Sequence, residues 1–306
     1  MSTVTPTDKQ ISGASGPTFT EISSGRKTIN TFMTFIMWAC MIAALIPLVW
    51  VLWTVFSNGI GAVTDIDWWT KDQSGTTRIL PGGGALHAIV GTLVQTFIAS
   101  IVSIPLGIFT AIYLVEYAQG GWLGRLTTFM VDILSGVPSI VAALFIYTLW
   151  ITVLGQQRSG FAVALSLILL MLPIVVRNTE EMLRVVPMDL REASYALGVP
   201  KWKTIVRIVL PTALSGIVTG IMLAVARVMG ESAPVLVLVG STSTLSWNPF
   251  GGPQSSLPLM MLDMYKAGTT DALMDKLWGA ALTLVVLVVS INLVARLIAA
   301  KFSVKK

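Results

Sequence analysis

The chain alternates long apolar runs with short polar connections. Six of the runs are long enough to cross a hydrocarbon core of about 30 Å at about 1.5 Å per residue. Because backbone groups cannot stay unpaired in lipid, each run is predicted to be helical, and the fourth is predicted to close on Pro173. The pattern predicts an all-α polytopic membrane protein with six transmembrane helices. The runs cover roughly residues 30–56, 86–115, 127–154, 161–177, 208–240 and 278–300.

The remaining segments divide into tails and connections. Residues 1–28 are rich in Ser, Thr and Gly and poor in large apolar side chains, which predicts a disordered cytoplasmic tail. Residues 29–302 are predicted to form the transmembrane domain, and residues 303–306 a second cytoplasmic tail. The connections 57–85 and 241–277 are long enough to offer a surface to an external partner.

A short apolar segment interrupts the second of these connections. The run Leu259-Met260-Met261-Leu262 predicts a short interfacial or re-entrant helix there.

The distribution of Lys and Arg sets the orientation. With the amino terminus inside, fourteen of the 20 Lys and Arg residues are counted on the cytoplasmic side and five outside, and the remaining one, Arg227, lies in the fifth predicted span. Both termini are therefore predicted to be cytoplasmic. The excess of Lys and Arg on the cytoplasmic side also accounts for the net charge of +5, so no nucleic-acid partner is needed to explain that charge.

Composition narrows the function classes further. Mean hydropathy is +0.80 and only 11% of residues are charged. Both values indicate lipid as the surrounding solvent. The single cysteine, Cys40, excludes an intrachain disulfide, and the single histidine, His87, excludes a His-pair metal site. No G-x-x-x-x-G-K-[ST] loop occurs, so any ATP hydrolysis must come from a partner.

A polar insert at 189–206 stands out from the apolar background. Residues 189–197 favour a helix, Gly198 tolerates the positive φ of a helix end, and Pro200 prevents continuation. We expect Ala193 and Ser194 to allow close approach and Arg191, Glu192, Lys201 and Lys203 to stay solvated. The insert predicts a docking surface for a cytosolic motor, and the alternative is an ordinary surface helical hairpin.

Arg227 and Glu231 are predicted to lie four residues apart on one face of the fifth span, with Arg227 at the midpoint of 214–240. A charge at that depth costs at least about 2.5–3.5 kcal/mol, so it must face a polar pathway or a partner. The functional interpretation is a translocation site for an anion. The alternative is an internal salt bridge that locks helices together.

Three other intramembrane features are typical of packing. Pro105 and Gly107 are expected to kink the second span, and Asp132 is expected to be interfacial or to pair. Gly216 and Gly220 form a G-x-x-x-G face suited to close helix contact.

Several of these segments together resemble a known family. P-L-G-I-F-T-A-I-Y-L-V-E-Y, D-I-L-S-G-V-P-S-I-V and A-R-V-M-G-E-S-A-P, with the insert E-A-S-Y-A-L-G and I-V-L-P nine residues later, are similar to the A-type permease subunits of bacterial phosphate-specific ABC importers. Ser194 stands where that pattern has a second Ala, and Ala143 where it has Gly. The resemblance covers about residues 86–300.

The resemblance implies a type I importer (MetI-like) fold in a bacterial cell membrane, with Arg227 and Glu231 in the substrate pathway. It implies that Glu192, Ala193, Ser194, Gly198, Leu210 and Pro211 couple the chain to its motor. Implied partners are a homologous second permease subunit, a cytosolic ABC ATPase dimer that binds ATP and magnesium, and an extracytoplasmic phosphate-binding protein, besides membrane lipid. No cofactor in this chain, no catalytic residue and no nucleic acid are expected.

Two alternatives stay open at this stage. One is a permease for another oxyanion or small solute, since the insert fits such importers equally well. The other is a membrane scaffold in phosphate sensing that moves no solute. An intramembrane enzyme is disfavoured, because the sequence offers no His pair, paired carboxylates or nucleophile–base set.

Overall fold

The computed structural model describes residues 24–76, 80–118 and 120–302, and twelve α-helices lie within these ranges. Short π-helical segments follow three of them, at Tyr113–Tyr117, Tyr147–Val153 and Ile205–Val209. The helices are α1 (Ser24–Val63), α2 (Ile66–Thr70), α3 (Leu86–Ile112), α4 (Trp122–Gly136), α5 (Ser139–Ile146), α6 (Gly160–Val185), α7 (Met188–Ala196), α8 (Lys201–Thr204), α9 (Leu210–Met229), α10 (Ala233–Leu238), α11 (Leu257–Ala267) and α12 (Asp271–Phe302).

The all-helical expectation is confirmed for the described part of the chain. Five continuous helical segments are long and apolar enough to cross a membrane, and there are six spans when the bent pair α4 and α5 counts as one. Residues up to Trp53 form one compact unit, and residues from Thr54 onward form a second. The second unit contains every candidate site residue named above.

The beginning of α1 corrects the predicted tail. The helix starts at Ser24, so residues 24–28 are helical rather than disordered. The rest of that predicted tail, 1–23, and the carboxy-terminal tail 303–306 lie outside the described residues.

Close helix packing in the second unit depends on glycines. A Cβ on Gly107 of α3 would lie 2.7 Å from Val175 Cγ1 on α6, so only glycine allows the two helices this approach. On α9, a Cβ at Gly216 or Gly220 would meet Met182 or Asn178 of α6 within 2.6 Å. The G-x-x-x-G face is therefore a helix contact, as predicted, and its partner is α6 of the same chain.

Pro105 lies within α3, and the helix continues through it to Ile112. The kink that the sequence predicted at this point stays a prediction, because an uninterrupted helix can still bend. The departure from α-geometry comes later, at Tyr113–Tyr117, where the Ala118 amide donates to the Tyr113 carbonyl 2.8 Å away, five residues back.

The third predicted span, 127–154, is not one straight helix. Its two halves, α4 and α5, meet at an angle of 104°. Val137 has φ −71° and ψ 124°, and Pro138 opens the next helix. Extended backbone of this kind is what a residue preceding proline prefers. The Val137-Pro138 dipeptide was the signal for this break.

The fourth and fifth spans also end elsewhere than predicted. α6 continues through Pro173 to Val185, because tertiary packing accommodates an internal proline in a membrane helix. In contrast, the predicted span 208–240 breaks at Gly230, where α9 stops, and α10 begins at Ala233. Pro234 has no amide hydrogen to continue the helix across this gap.

The outer connections fold against α3. As predicted, the Leu259–Leu262 segment is helical and belongs to α11. Gln95 of α3 donates to the Gln254 carbonyl at 3.2 Å, and the Thr92 hydroxyl accepts from the Leu257 amide at 2.9 Å. These buried hydrogen bonds fix the start of α11.

The two outer connections also bond to each other. The Gln73 amide donates to the Ser243 carbonyl at 3.1 Å, and the Leu245 amide donates to Asp72 Oδ2 at 3.0 Å. The Ser74 hydroxyl and the Leu245 amide both donate to the Asp72 carboxylate, and these bonds lower the pKa of Asp72. The two connections thus form one joined outer surface.

Candidate functional site

The depth of Arg227 follows from the packing of α9 on α6. The two helices are antiparallel, because Gly216 and Gly220 face Met182 and Asn178 in turn. The same register sets Arg227 level with Met171, eleven residues after the start of α6. That is about 16 Å along the helix axis, or roughly half of a hydrocarbon core of about 30 Å. Arg227 therefore lies about half the thickness of a hydrocarbon core from the start of α6.

The relation between Arg227 and Glu231 differs from the prediction. Arg227 is in the last turn of α9, not at a helix midpoint, and Glu231 lies beyond the helix end in the connection to α10. The two residues are consequently not on one helical face. Within the described ranges neither side chain has a hydrogen-bond or ion-pair partner, and Arg227 is exposed while Glu231 is half-buried. The internal salt bridge is therefore not formed in this conformation.

Two interrupted spans meet near this position. α10 follows the break at Gly230, and it packs against α5, which follows the break at Val137-Pro138. Helices that break at membrane depth leave backbone amides and carbonyls without helical partners, and these are tolerated where they line a polar cavity or protein. A cation and a carboxyl group together offer both donors and acceptors to a polar solute.

The polar insert forms a compact helical hairpin, as predicted. α7 covers Met188–Ala196, Gly198 has φ +74°, and Pro200 precedes α8. An apolar surface projects from it: the exposed fractions are 84% for Leu197 and 62% for Trp202. Such a surface is suited to contact with another protein.

The candidate coupling residues do not all share that surface. Glu192, Ala193 and Gly198 are exposed on it, whereas Leu210 and Pro211 are half-buried at the start of α9. Ser194 is buried, and its hydroxyl lies 2.8 Å from the Thr204 hydroxyl of α8. Ser194 therefore permits close approach within the hairpin and does not offer contact to a partner.

Two basic residues of the insert are not solvated, which corrects the expectation. Arg191 is 6% exposed and pairs with Glu116 at the end of α3. The Lys201 ammonium bonds to the Glu116 carbonyl and lies 4.9 Å from the centre of the Tyr117 ring. Sequence reasoning missed both contacts because Glu116 is 75 residues away from Arg191 along the chain. Lys203 is half-buried, and Glu192 is exposed as expected.

A second ionic cluster joins α4 to α6. Arg177 pairs with Asp132 of α4 and, at 2.9 Å, with Glu180, whose other oxygen is 2.8 Å from Arg184. Of the two possibilities for Asp132, pairing is the one the structure contains. Arg177 stands at the end of the predicted fourth run, 161–177, and the longer α6 places it inside the helix.

We looked for side chains that could bind a metal ion among the described residues. These residues contain no group of three or more His, Cys, Asp or Glu side chains close enough to hold a metal ion. Cys40 is exposed on α1, and His87 is buried near the start of α3.

Sequence comparison identifies a family and close relatives. Residues 103–304 match the family described as binding-protein-dependent transport system inner membrane component. The chain is 53% identical over 280 residues, 92% of this chain and 91% of the relative, to the phosphate transport system permease protein PstA 1 of Mycobacterium tuberculosis (strain CDC 1551 / Oshkosh). It is 37% identical over 277 residues, 90% of this chain and 92% of the relative, to the PstA protein of Yersinia pestis.

Solved structures share the fold at low sequence identity. A chain of the inward-facing MetNI methionine ABC transporter aligns with a TM-score of 0.56 at 20% identity, covering 72% of this chain and 95% of that one. A chain of a bacterial alginate ABC transporter in complex with an alginate-bound periplasmic protein aligns with a TM-score of 0.59 at 15% identity, covering 88% and 93%. The predicted MetI-like importer fold is thereby confirmed.

Proposed function

The chain belongs to the family of binding-protein-dependent transport system inner membrane components, and from that membership we propose that it is the permease subunit of an ATP-driven phosphate importer. It forms half of the translocation pathway, and a homologous second permease subunit forms the other half. The transmembrane domain, residues 29–302, lies in a bacterial cell membrane with both termini in the cytoplasm.

The chain has no ATPase site of its own. ATP and magnesium bind to a cytosolic ABC ATPase dimer, and an extracytoplasmic phosphate-binding protein delivers the substrate. The coupling helices at 189–206 offer Tyr195, Leu197 and Trp202 to the ATPase, because all three side chains are exposed next to the turn at Gly198. Closure of the ATPases moves this hairpin and switches the pathway between outward and inward openings.

The observation that carries this proposal is the exposed guanidinium of Arg227, about half the thickness of a hydrocarbon core from the start of α6. A planar fork of N–H donors matches two oxygens of a tetrahedral oxyanion, and the broken span leaves the charge accessible from the chain surface. A cation at this depth is costly unless a polar pathway or a partner faces it. An anion passing through the membrane supplies the balancing charge.

Glu231 lies close enough in sequence to act on the same substrate. Hydrogen phosphate carries a proton that it can donate to a carboxylate, whereas sulfate carries none at neutral pH and is repelled. Glu231 thus provides a chemical basis for preferring phosphate to sulfate. In the alternative role it bridges Arg227 when the site is empty and acts as a gate.

Reconstitution tests the function directly. The full complex in proteoliposomes, with the binding protein outside and ATP inside, is expected to accumulate radiolabelled phosphate. Complex assembled without this chain is expected to accumulate none. Uptake of sulfate in place of phosphate would identify a permease for another oxyanion, and an assembled complex that moves neither anion would point to a scaffold.

A further inference from the structure

We propose that the buried ion pair between Glu116 and Arg191 is the joint through which the coupling helix α7 moves the membrane helices α3 and α6. The proposal rests on the proposed transport function and assigns two positioning residues to it. Neither residue contacts the substrate. Their role is to make α7 and the cytoplasmic ends of two spans move together.

Arg191 makes three hydrogen bonds that connect three parts of the chain. Its guanidinium donates to Glu116 Oε1 at 3.0 Å, to the Val186 carbonyl at 2.6 Å and to the Leu183 carbonyl at 2.9 Å. Glu116 lies in the π-helical end of α3, Leu183 lies in the last turn of α6, and Val186 directly follows α6. One side chain of α7 thus holds two membrane helices at once.

No other side chain of α7 provides such a connection. All nine residues of α7 are described, and only Arg191 and Ser194 are buried. Ser194 bonds to Thr204 of α8, so it holds the hairpin together and does not reach α3 or α6. Among the side chains of α7, Arg191 is therefore the one that bonds directly to the ends of these spans, whereas Ser194 is connected to α3 only indirectly, through α8 and Lys201.

The burial of Glu116 and Arg191 makes each the required partner of the other. Side-chain exposure is 7% for Arg191 and 6% for Glu116. Either charge left alone would therefore be buried without compensation. The nearest other arginine along the chain, Arg184, pairs with Glu180. Lys201 bonds to the backbone carbonyl of Glu116, which adds a tie from α8 to the same point on α3.

An open cleft lies beside the pair, between α7 and the ends of α3 and α6. The cleft is about 670 Å³ in volume, and Glu116, Arg191, Met188 and Tyr195 are among the residues that line it. Across this cleft, the hydrogen bonds of Arg191 are the direct side-chain connection from α7 to Glu116 and to the end of α6. We infer that breaking the pair leaves the ATPase docked and active while the spans no longer follow it.

The test measures the coupling ratio, defined as phosphate transported per ATP hydrolysed, in the reconstituted complex. Glu116→Gln keeps an acceptor oxygen for Arg191 but removes the charge, and it is expected to lower the ratio about threefold. Glu116→Ala leaves Arg191 unpaired and is expected to lower the ratio about tenfold or more. ATP hydrolysis is expected to stay within about twofold of the wild type in both variants.

Arg125→Gln is the matched control, since Arg125 is an exposed charged residue near the start of α4 with no ion pair in the described ranges. Its coupling ratio is expected to equal that of the wild type. The proposal that this ion pair is the joint is overturned by an unchanged coupling ratio in Glu116→Gln, or by an equal loss in Arg125→Gln. Both outcomes can be read even if Glu116→Ala fails to assemble. If the wild-type complex itself moves no phosphate, the proposed function fails, and the joint fails with it.

Discussion

At the scale of single residues, the relation between Arg227 and Glu231 decides whether the charges of the fifth predicted span are functional or structural. Arg227 is exposed in the last turn of α9, and Glu231 is half-buried past the end of that helix. A permanent salt bridge would have made both residues structural. Their separation in this conformation leaves two roles for Glu231, proton acceptor or gate, which one substitution distinguishes.

Glu231→Gln is expected to make sulfate a measurable competitor of phosphate uptake. The amide removes the negative charge that repels an unprotonated oxyanion but keeps the size of the side chain. The measurement is inhibition of radiolabelled phosphate uptake by excess sulfate in wild type and variant. Slower or leaky uptake with sulfate still ignored would assign Glu231 to the gate.

The residue scale also shows where sequence reasoning ends. The E-A-S-Y-A-L-G pattern predicted an exposed Glu192 and a helix end with positive φ at Gly198, because local chemistry determines both. Burial of Arg191 depends on Glu116, which only the tertiary fold brings near. A long-range ion pair leaves no periodic signal in a single sequence.

At the scale of elements, local signals predicted the helical hairpin but were underused at the two breaks. Gly198 and Pro200 fixed the end of α7 and the start of α8, as expected. Val137-Pro138 and the Gly230 to Pro234 segment carry the same kind of signal, and length alone suggested continuous spans there. Hydropathy measures whether a segment prefers lipid, and it does not report whether the segment bends.

The turn of the hairpin is expected to be sensitive to substitution. Gly198 has φ +74°, and Gly198→Asp places a Cβ on that backbone. A Cβ in the left-handed region costs about 1–2 kcal/mol, which disfavours the native turn. The substitution also adds a charge to the docking surface. Phosphate transported per ATP is expected to fall while the protein still inserts.

Gly75→Asp is the matched control for that variant. Gly75 has φ +77° and, like Gly198, has open space around an added Cβ, but it lies in the outer connection. Its strain is similar and its distance from the ATPase is large, so the coupling ratio is expected to stay at the wild-type value. Equal losses in both variants would remove the docking role of the Gly198 turn.

The contact between α3 and the start of α11 is expected to depend on Gly91. A Cβ there would lie 2.0 Å from the Ser255 carbonyl oxygen, and a backbone atom cannot move aside as a side chain can. Gly91→Ala is expected to destabilise the protein by about 1–3 kcal/mol, detected as a lower Tm in detergent. Gly61→Ala, a helical position with open space, is the control, and an equal Tm in both variants would contradict the contact.

At the scale of the whole molecule, the charge distribution and the span pattern specify how the chain sits in the membrane. The fourteen-to-five distribution of Lys and Arg remains the basis for cytoplasmic termini. Most of the charges counted as cytoplasmic that the structure describes lie at or near helix ends. The span pattern made the fold class predictable, whereas span length gave no indication of the two breaks.

Cysteine labelling tests this orientation. In a Cys40→Ala background, Ser74→Cys and Thr244→Cys are expected to react with a membrane-impermeant maleimide from outside, since both positions are exposed on the joined outer surface. Leu197→Cys, at a position 84% exposed, is expected to react only after the cytoplasmic side is opened. Labelling of Leu197→Cys from outside would contradict the predicted orientation of the chain in the membrane.

The central claim is that this chain lines a phosphate pathway at Arg227, and the most direct measurement is phosphate uptake by the reconstituted complex carrying Arg227→Gln. Each hydrogen bond to a charged group contributes about 1.5–3 kcal/mol, so removing the guanidinium is expected to reduce uptake by at least about tenfold with assembly intact. Arg158→Gln makes the same chemical change at an exposed outer position and is expected to keep wild-type uptake. Wild-type uptake in an assembled Arg227→Gln complex would contradict the account.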